Sequence, residues 1–149
     1  MKKLVIGFTV VLLLTSFSAM AQNAPRGVPA VVLNAFQQQF PKARQAEWER
    51  RNDGTFEVEF NVGLVGRDQK AFISPDGKVL KHEEELSSSS LPEDVKKQIK
   101  AEFAGYRVDE VKKITEGGKV VYAVDLESRS GDLKVHFDPA GKILKERMD

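Results

Sequence analysis

Two carboxylates, Glu57 and Glu59, are separated by one residue in an alternating run that starts at Phe56. On one face of a strand such residues lie about 7 Å apart, and paired carboxylates near that spacing can hydrolyse glycosidic bonds. That chemistry needs a cleft and an apolar surrounding that raises the pKa of one carboxyl group. The alternation instead predicts a sheet face that is open to water. We therefore expect no catalytic role for either residue.

The chain contains two histidines, His82 and His136, and no cysteine. Thiol chemistry is excluded, and neither histidine has a neighbour at a spacing typical of zinc ligands. No serine lies in a G-x-S-x-G elbow. His82 precedes three glutamates at a predicted strand end, where we expect a loose pairing with a carboxylate, and the polar parity of His136 predicts exposure. We predict a protein that is not an enzyme, with no catalytic residue, metal ion or cofactor.

The elements that position these side chains occur twice along the chain. Apolar helical patterns run from Pro29 to Phe40 and from Pro92 to Phe103, with the same 11-residue spacing. Alternating runs follow each of them, and similar proline-containing turns recur at Gly77 and Gly141. Each copy is therefore predicted to be a helix followed by four strands, near residues 43–51, 55–64, 68–74 and 78–85, then 106–115, 119–128, 131–138 and 142–147.

This order of elements predicts an α+β fold. Two tandem helix-plus-four-strand repeats would form a twisted antiparallel sheet with both helices on one face. We place the first repeat at residues 22–86, a serine linker at 87–90 and the second repeat at 91–149. Val108, Val111 and Ile114 recur every three residues, which predicts a β-bulge in the first strand of the second repeat.

Residues 1–21 have the pattern of a cleavable signal peptide. Lys2 and Lys3 precede an apolar run of about 14 residues, which is shorter than the roughly 20 that a spanning helix needs. Ala19 and Ala21 then form an A-x-A site, so we expect cleavage after Ala21 and a periplasmic or secreted protein without membrane insertion. The remaining chain has 21 basic and 22 acidic residues, a balance that does not indicate a nucleic-acid partner.

Phe72 and His136 occupy equivalent positions in the two repeats, on the sheet face that the helices are expected to leave open. An aromatic side chain among mixed charges is typical of a protein-binding surface, although an isolated surface aromatic fits the pattern equally well. Trp48 shares the parity of Ala46, which favours the core. The predicted partner-binding residues are Glu57, Glu59, Lys70, Phe72, Asp125, Lys134 and His136.

Residues 28–41, 46–49, 56–60 and 76–78 resemble the PepSY-like family of exported Bacteroidetes proteins, which is also described as β-lactamase-inhibitor-like in fold. The second copy is similar from 91 to 144, with Val111 where the first has Trp48. The resemblance implies a fold rather than an activity.

With the residues above, the resemblance favours a non-enzymatic periplasmic protein that engages a protein or peptide partner through the open sheet face. Inhibition of an exported enzyme is one form of that role. The alternative is an envelope protein that binds a small ligand or a metal ion.

Overall fold

The computed structural model describes residues 25–63 and 67–148. The predicted signal peptide at 1–21 therefore lies outside the described residues, as do residues 64–66 in the loop after the second strand. Within the two described ranges, no helix is both long enough and apolar enough to cross a membrane.

Each repeat consists of one helix followed by four strands, as predicted. The first repeat contains α1 (Ala30–Gln39), β1 (Ala43–Arg50), β2 (Phe56–Val62), β3 (Arg67–Ile73) and β4 (Val79–Leu86). After a short 3-10 turn at Ser88–Ser90, the second contains α2 (Glu93–Glu102), β5 (Arg107–Glu116), β6 (Lys119–Glu127), β7 (Leu133–Phe137) and β8 (Ile143–Met148). The predicted α+β class and its tandem repeats are confirmed.

All eight strands form one antiparallel sheet whose spatial order is the chain order, from β1 to β8. The repeats meet at β4 and β5, which pair without interruption from Lys81 opposite Glu116 to Leu86 opposite Val111. This ladder makes the sheet continuous across the repeats. The repeat boundaries at 22–86, 87–90 and 91–149 stay predictions.

A proline stands immediately before each helix, at Pro29 and Pro92, where the backbone is extended. Proline is tolerated at a helix start because the first N–H groups have no partner within the helix. Each helix then buries two residues four positions apart, which lie one above the other on the same face. These are Val32 and Phe36 on α1 and Val95 and Ile99 on α2.

Both helices cover the same face of the sheet. Ala71 lies in the core beneath α1, and the register continues from it to His82 on β4 and then to Thr115 on β5. Val111, four residues before Thr115, lies in the core beneath α2. Because alternate residues of a strand share a face, the two cores are on one side. We call the opposite side the open face.

Both repeats have a bulge in their first strand. The register shifts between Arg44 and Glu47 in β1 and between Val108 and Glu110 in β5, so the bulge predicted for the second repeat is confirmed. In β1 the bulge leaves Ala46 exposed, although Trp48 packs on the first core as predicted. The indole lies 5.1 Å from the Phe36 ring, centroid to centroid, edge to face.

The glycine turn before the last strand of each repeat packs on the helix of that repeat. A Cβ atom on Gly77 would lie 3.0 Å from the Val31 carbonyl oxygen, and one on Gly141 would lie 2.6 Å from the Asp94 carbonyl oxygen. Both glycines have positive φ, 87° and 84°. Glycine is therefore needed at these positions both for backbone conformation and for space.

Candidate functional site

The predicted partner-binding residues all lie on the open face, but in two separate groups. On β2 and β3, Glu57 is opposite Phe72 and Glu59 is opposite Lys70. On β6 and β7, Asp125 is opposite Lys134 and His136 is opposite Ala123. Three strand spacings separate β3 from β6, about 14 Å. The residues therefore do not form a single cluster.

Glu57 is buried, with 6% of its surface exposed. The expectation that it is exposed is wrong, because two cations reach its carboxylate, one from the residue that follows β1 and one from β3. Its Oε2 lies 2.5 Å from the Arg51 guanidinium, and its Oε1 lies 2.6 Å from the Lys70 ammonium. The same ammonium is 2.7 Å from Glu59, whose side chain is 61% exposed. Lys70 thus bridges the two carboxylates.

These contacts shift the pKa of Glu57. Burial favours the neutral acid of Glu57, but the hydrogen bonds and charges of Lys70 and Arg51 outweigh it, so the pKa of Glu57 is lowered. The hydrogen bonds from Lys70 to Glu57 and Glu59 raise the pKa of that lysine. Paired-carboxylate hydrolysis needs one acid with a raised pKa. The pKa of Glu57 is shifted in the opposite direction.

Phe72 is half-buried, and two cations contact its ring. The Arg51 guanidinium carbon is 5.6 Å and the Lys81 ammonium 5.2 Å from the ring centroid. Both distances are in the range of cation–π interactions. Phe72 therefore presents a ring flanked by positive charge rather than a free apolar anchor.

The second group carries more positive charge. Lys134 lies 3.2 Å from Asp125. His136 is half-buried, and burial, followed by the charges of Lys145, Lys134 and Arg147, lowers its pKa. A neutral imidazole is therefore surrounded by three cations on β7 and β8.

His82 differs from its prediction. It lies within β4 rather than at its end, and its Nε2 is 2.9 Å from the Gln69 Oε1. Its ring centroid is 4.8 Å from that of Phe40 and 6.3 Å from that of Phe60. Burial lowers its pKa. This residue faces the first core and its hydrogen-bond partner is Gln69, whereas the expected neighbouring carboxylates, Glu83 and Glu84, act on it only through their charge.

A hollow of about 730 Å³ lies on the open face between β1 and β5. Six carboxylates and two lysines line it, a formal charge of −4. We call this hollow the acidic groove; its charged residues are Glu47, Glu59, Asp68, Glu83, Glu85, Glu110, Lys70 and Lys112.

Only Glu59 and Lys70 of the acidic groove were predicted from the sequence. The three consecutive glutamates from Glu83 to Glu85 were a visible signal, but their side of the sheet depends on the register with β3. That register places Glu83 opposite Lys70, on the open face, and Glu84 opposite Gln69, on the helix-covered face. Across the described part of the chain, no group of three or more His, Asp or Glu residues is arranged to hold a metal ion.

Solved structures with a similar fold come from Bacteroides species. A DUF2874 family protein from Bacteroides uniformis ATCC 8492 has a TM-score of 0.71 at 20% identity, over 80% of this chain and 88% of that one. A “putative periplasmic” protein from Bacteroides eggerthii DSM 20697 has a TM-score of 0.72 at 18% identity, over 81% and 88%. A BLIP-like protein from Bacteroides fragilis NCTC 9343 has a TM-score of 0.69 at 19% identity, over 84% and 89%. At these identities the likeness shows the fold.

A search of curated proteins found no match. The family model for PepSY-like proteins, described as β-lactamase-inhibitor-like, matches residues 22–81 and again residues 76–145. The two matches cover most of the chain and agree with the tandem repeat of helix and four strands. The chain therefore belongs to the PepSY-like, β-lactamase-inhibitor-like family.

Proposed function

We propose that this chain is a non-enzymatic interaction protein of the cell envelope, which binds a protein or peptide partner through the open face. The observation that carries the proposal is the asymmetry of the sheet. Two helices cover one side, whereas charged, aromatic and a few apolar side chains face solvent on the other side of the described sheet. The family description, β-lactamase-inhibitor-like, supports a partner-directed role.

The open face is large enough for a specific complex. Seven spacings of about 4.8 Å across the sheet and about seven residues along each strand give an area of about 800 Å². A standard protein–protein interface buries about 800 Å² on each partner. The face also has a small apolar strip near its centre, where the half-buried Ile114 and Val121 pair with each other beside the buried Ala123. Charge around an apolar centre is the usual anatomy of an interface.

Inhibition of an exported enzyme is the form of this role that we favour. An inhibitor needs an exposed surface and no catalytic groups. On the open face, the paired carboxylates Glu57 and Glu59 are held in ion pairs by Lys70. The expected export, with cleavage after Ala21, and the “putative periplasmic” description of a relative with the same fold support an envelope location.

Site-specific photo-crosslinking in the envelope of the source organism tests the proposal. A photoreactive amino acid replaces Glu59 or Lys134 on the open face, and Lys97 on the exposed side of α2 is the matched control. We expect one discrete adduct from both open-face positions and none from Lys97, because the partner covers the open face. An equal adduct from Lys97, or no adduct from either open-face position, would contradict the proposal.

A further inference from the structure

The charge of the acidic groove is not balanced by its own lysines. Glu59 pairs with Lys70, Glu110 pairs with Lys112, and Glu83 pairs with Lys81 outside the groove. Three carboxylates of the groove remain: Glu47, Asp68 and Glu85. Within the described ranges, none of them forms an ion pair with a neighbouring cation. An uncompensated negative surface attracts a positively charged partner and disfavours a negatively charged one.

The carboxylates are spread too widely for one metal ion. Glu47 lies on β1 and Glu110 on β5, four strand spacings apart, which is about 19 Å. Ligand oxygens of a calcium ion lie within about 2.6 Å of the metal. The groove therefore matches several positive charges distributed along a chain. About six residues of extended polypeptide span 19 Å, and alternate side chains then point to the same side.

The shape of the groove favours a projecting segment. The hollow extends from Gln45 and Ala46 of β1 to Lys112 of β5, with Asn61 and Lys70 of the middle strands between them. A flat surface, such as a second sheet laid against this one, would leave the volume of about 730 Å³ unfilled. An extended segment that enters the groove fills it.

We propose that the acidic groove receives an extended segment of the partner in which lysine or arginine alternates with other residues. This inference rests on the proposed function, since it names the chemistry of the partner that the open face binds. Glu47, Asp68 and Glu85 pair with the cations of the segment, and the apolar strip beside the groove contacts the rest of the partner.

The probe is a fluorescent, terminally blocked hexapeptide, Lys-Ser-Lys-Ser-Lys-Ser, measured by fluorescence anisotropy with the mature protein. The control peptide has glutamate in place of lysine. We expect the lysine peptide to bind and the glutamate peptide not to bind. The affinity for the lysine peptide should weaken between about 20 mM and about 150 mM salt, because added ions screen exposed charges.

The test variant is Glu47→Gln with Glu85→Gln, which removes two groove charges without unpairing a lysine. The matched control, Glu102→Gln with Glu146→Gln, removes two exposed carboxylates outside the groove. We expect Kd for the lysine peptide to rise about fivefold in the test variant and to change less than about twofold in the control.

Three results would overturn the inference: no binding of the lysine peptide, equal binding of the glutamate peptide, or equal loss in the two variants. The proposed function is judged separately by crosslinking. Adducts from Glu59 and Lys134 with no effect in the peptide assay would leave the open-face function standing and show that the groove is not a site for a cationic segment.

Discussion

Replacing Glu57 with glutamine tests whether the buried carboxylate on the open face stabilises the fold. The substitution keeps the size of the side chain and removes its charge. Glutamine has one acceptor oxygen in place of two, so either Lys70, at 2.6 Å, or Arg51, at 2.5 Å, loses its hydrogen bond to a residue that is only 6% exposed. A hydrogen bond to a buried charged group contributes about 1.5–3 kcal/mol. Because Lys70 is itself 32% exposed and keeps Glu59 as a partner, we expect the free energy of unfolding to fall by about 1–2 kcal/mol.

Glu59→Gln is the matched control, since Glu59 binds the same ammonium from a side chain that is 61% exposed. Exposed ion pairs contribute little, so we expect a loss below about 0.5 kcal/mol. Urea unfolding at pH 7 measures both, with fluorescence of Trp48, the only tryptophan, as the probe of the first core. With a slope of about 1.5 kcal/mol per M, Glu57→Gln should lower the midpoint by about 1 M.

The pH dependence gives a second measurement of the same contact. The pKa of Glu57 is lowered from 4.5 in the folded protein. The contribution of the Glu57 carboxylate to the free energy of unfolding is therefore fully present above pH 4.5. It is lost as the pH falls through the lower pKa that Glu57 has in the folded state. The difference between wild type and Glu57→Gln should be constant from pH 7 to pH 5 and should shrink below that. Equal losses at Glu57 and Glu59, or a difference that does not change with pH, would refute this reasoning.

Two further predictions concern stability. Burial lowers the pKa of His82 from 6.5, so the folded state favours the neutral ring. The melting temperature should therefore fall as the pH drops below 6.5. His82→Gln should reduce that fall more than His136→Gln does. A result in which His136→Gln has the larger effect would contradict it. Gly77→Ala should cost about 1–2 kcal/mol, mainly from its positive φ, because its Cβ would lie 3.0 Å from a carbonyl oxygen. Gly141→Ala should cost about 3 kcal/mol, because its Cβ would lie only 2.6 Å from a carbonyl oxygen. The midpoints of urea unfolding measure the loss of stability in each glycine variant. A larger loss in Gly77→Ala than in Gly141→Ala would refute the steric argument.

The repeat and its elements could be predicted because their signals are local. Proline before each helix, glycine in each turn and the alternation around Phe56 act within a few residues of the chain. The burial of Glu57 could not be predicted in that way. It depends on Arg51, which follows β1, and on Lys70 of β3, and both meet the carboxylate only in one register.

The bulges likewise could not be placed well enough from the sequence to predict which face of the sheet each side chain occupies. Strict alternation from Ala46 to Trp48 gives both residues one side, but the extra residue in β1 leaves the first exposed and the second packed on the core. A bulge in one strand changes the pairing of all the residues that precede it in that strand. The acidic groove, which combines residues of five strands, therefore required the register of each pair.

On the open face, some of the positions that the register makes equivalent are alike in the two repeats and others differ. The pair of Glu59 and Lys70 corresponds to that of Asp125 and Lys134, so one ion pair is common to both repeats. Glu57, however, corresponds to Ala123, because the two lie opposite the equivalent residues Phe72 and His136.

A duplicated face with identical halves would offer a partner two equivalent ways to bind. Here the buried Glu57 and most of the acidic groove belong to the first repeat, and Glu110 and Lys112 of β5 complete the groove. The apolar strip beside Ala123 and the cations around His136 belong to the second repeat. The proposed cationic segment would match the charge of the acidic groove, and the cations around His136 would repel it. Specificity arises from such repulsion as much as from attraction. If the open face binds its partner as proposed, the divergence of the repeats favours a single binding orientation, and crosslinks from Glu59 and Lys134 to different parts of one partner would reveal it.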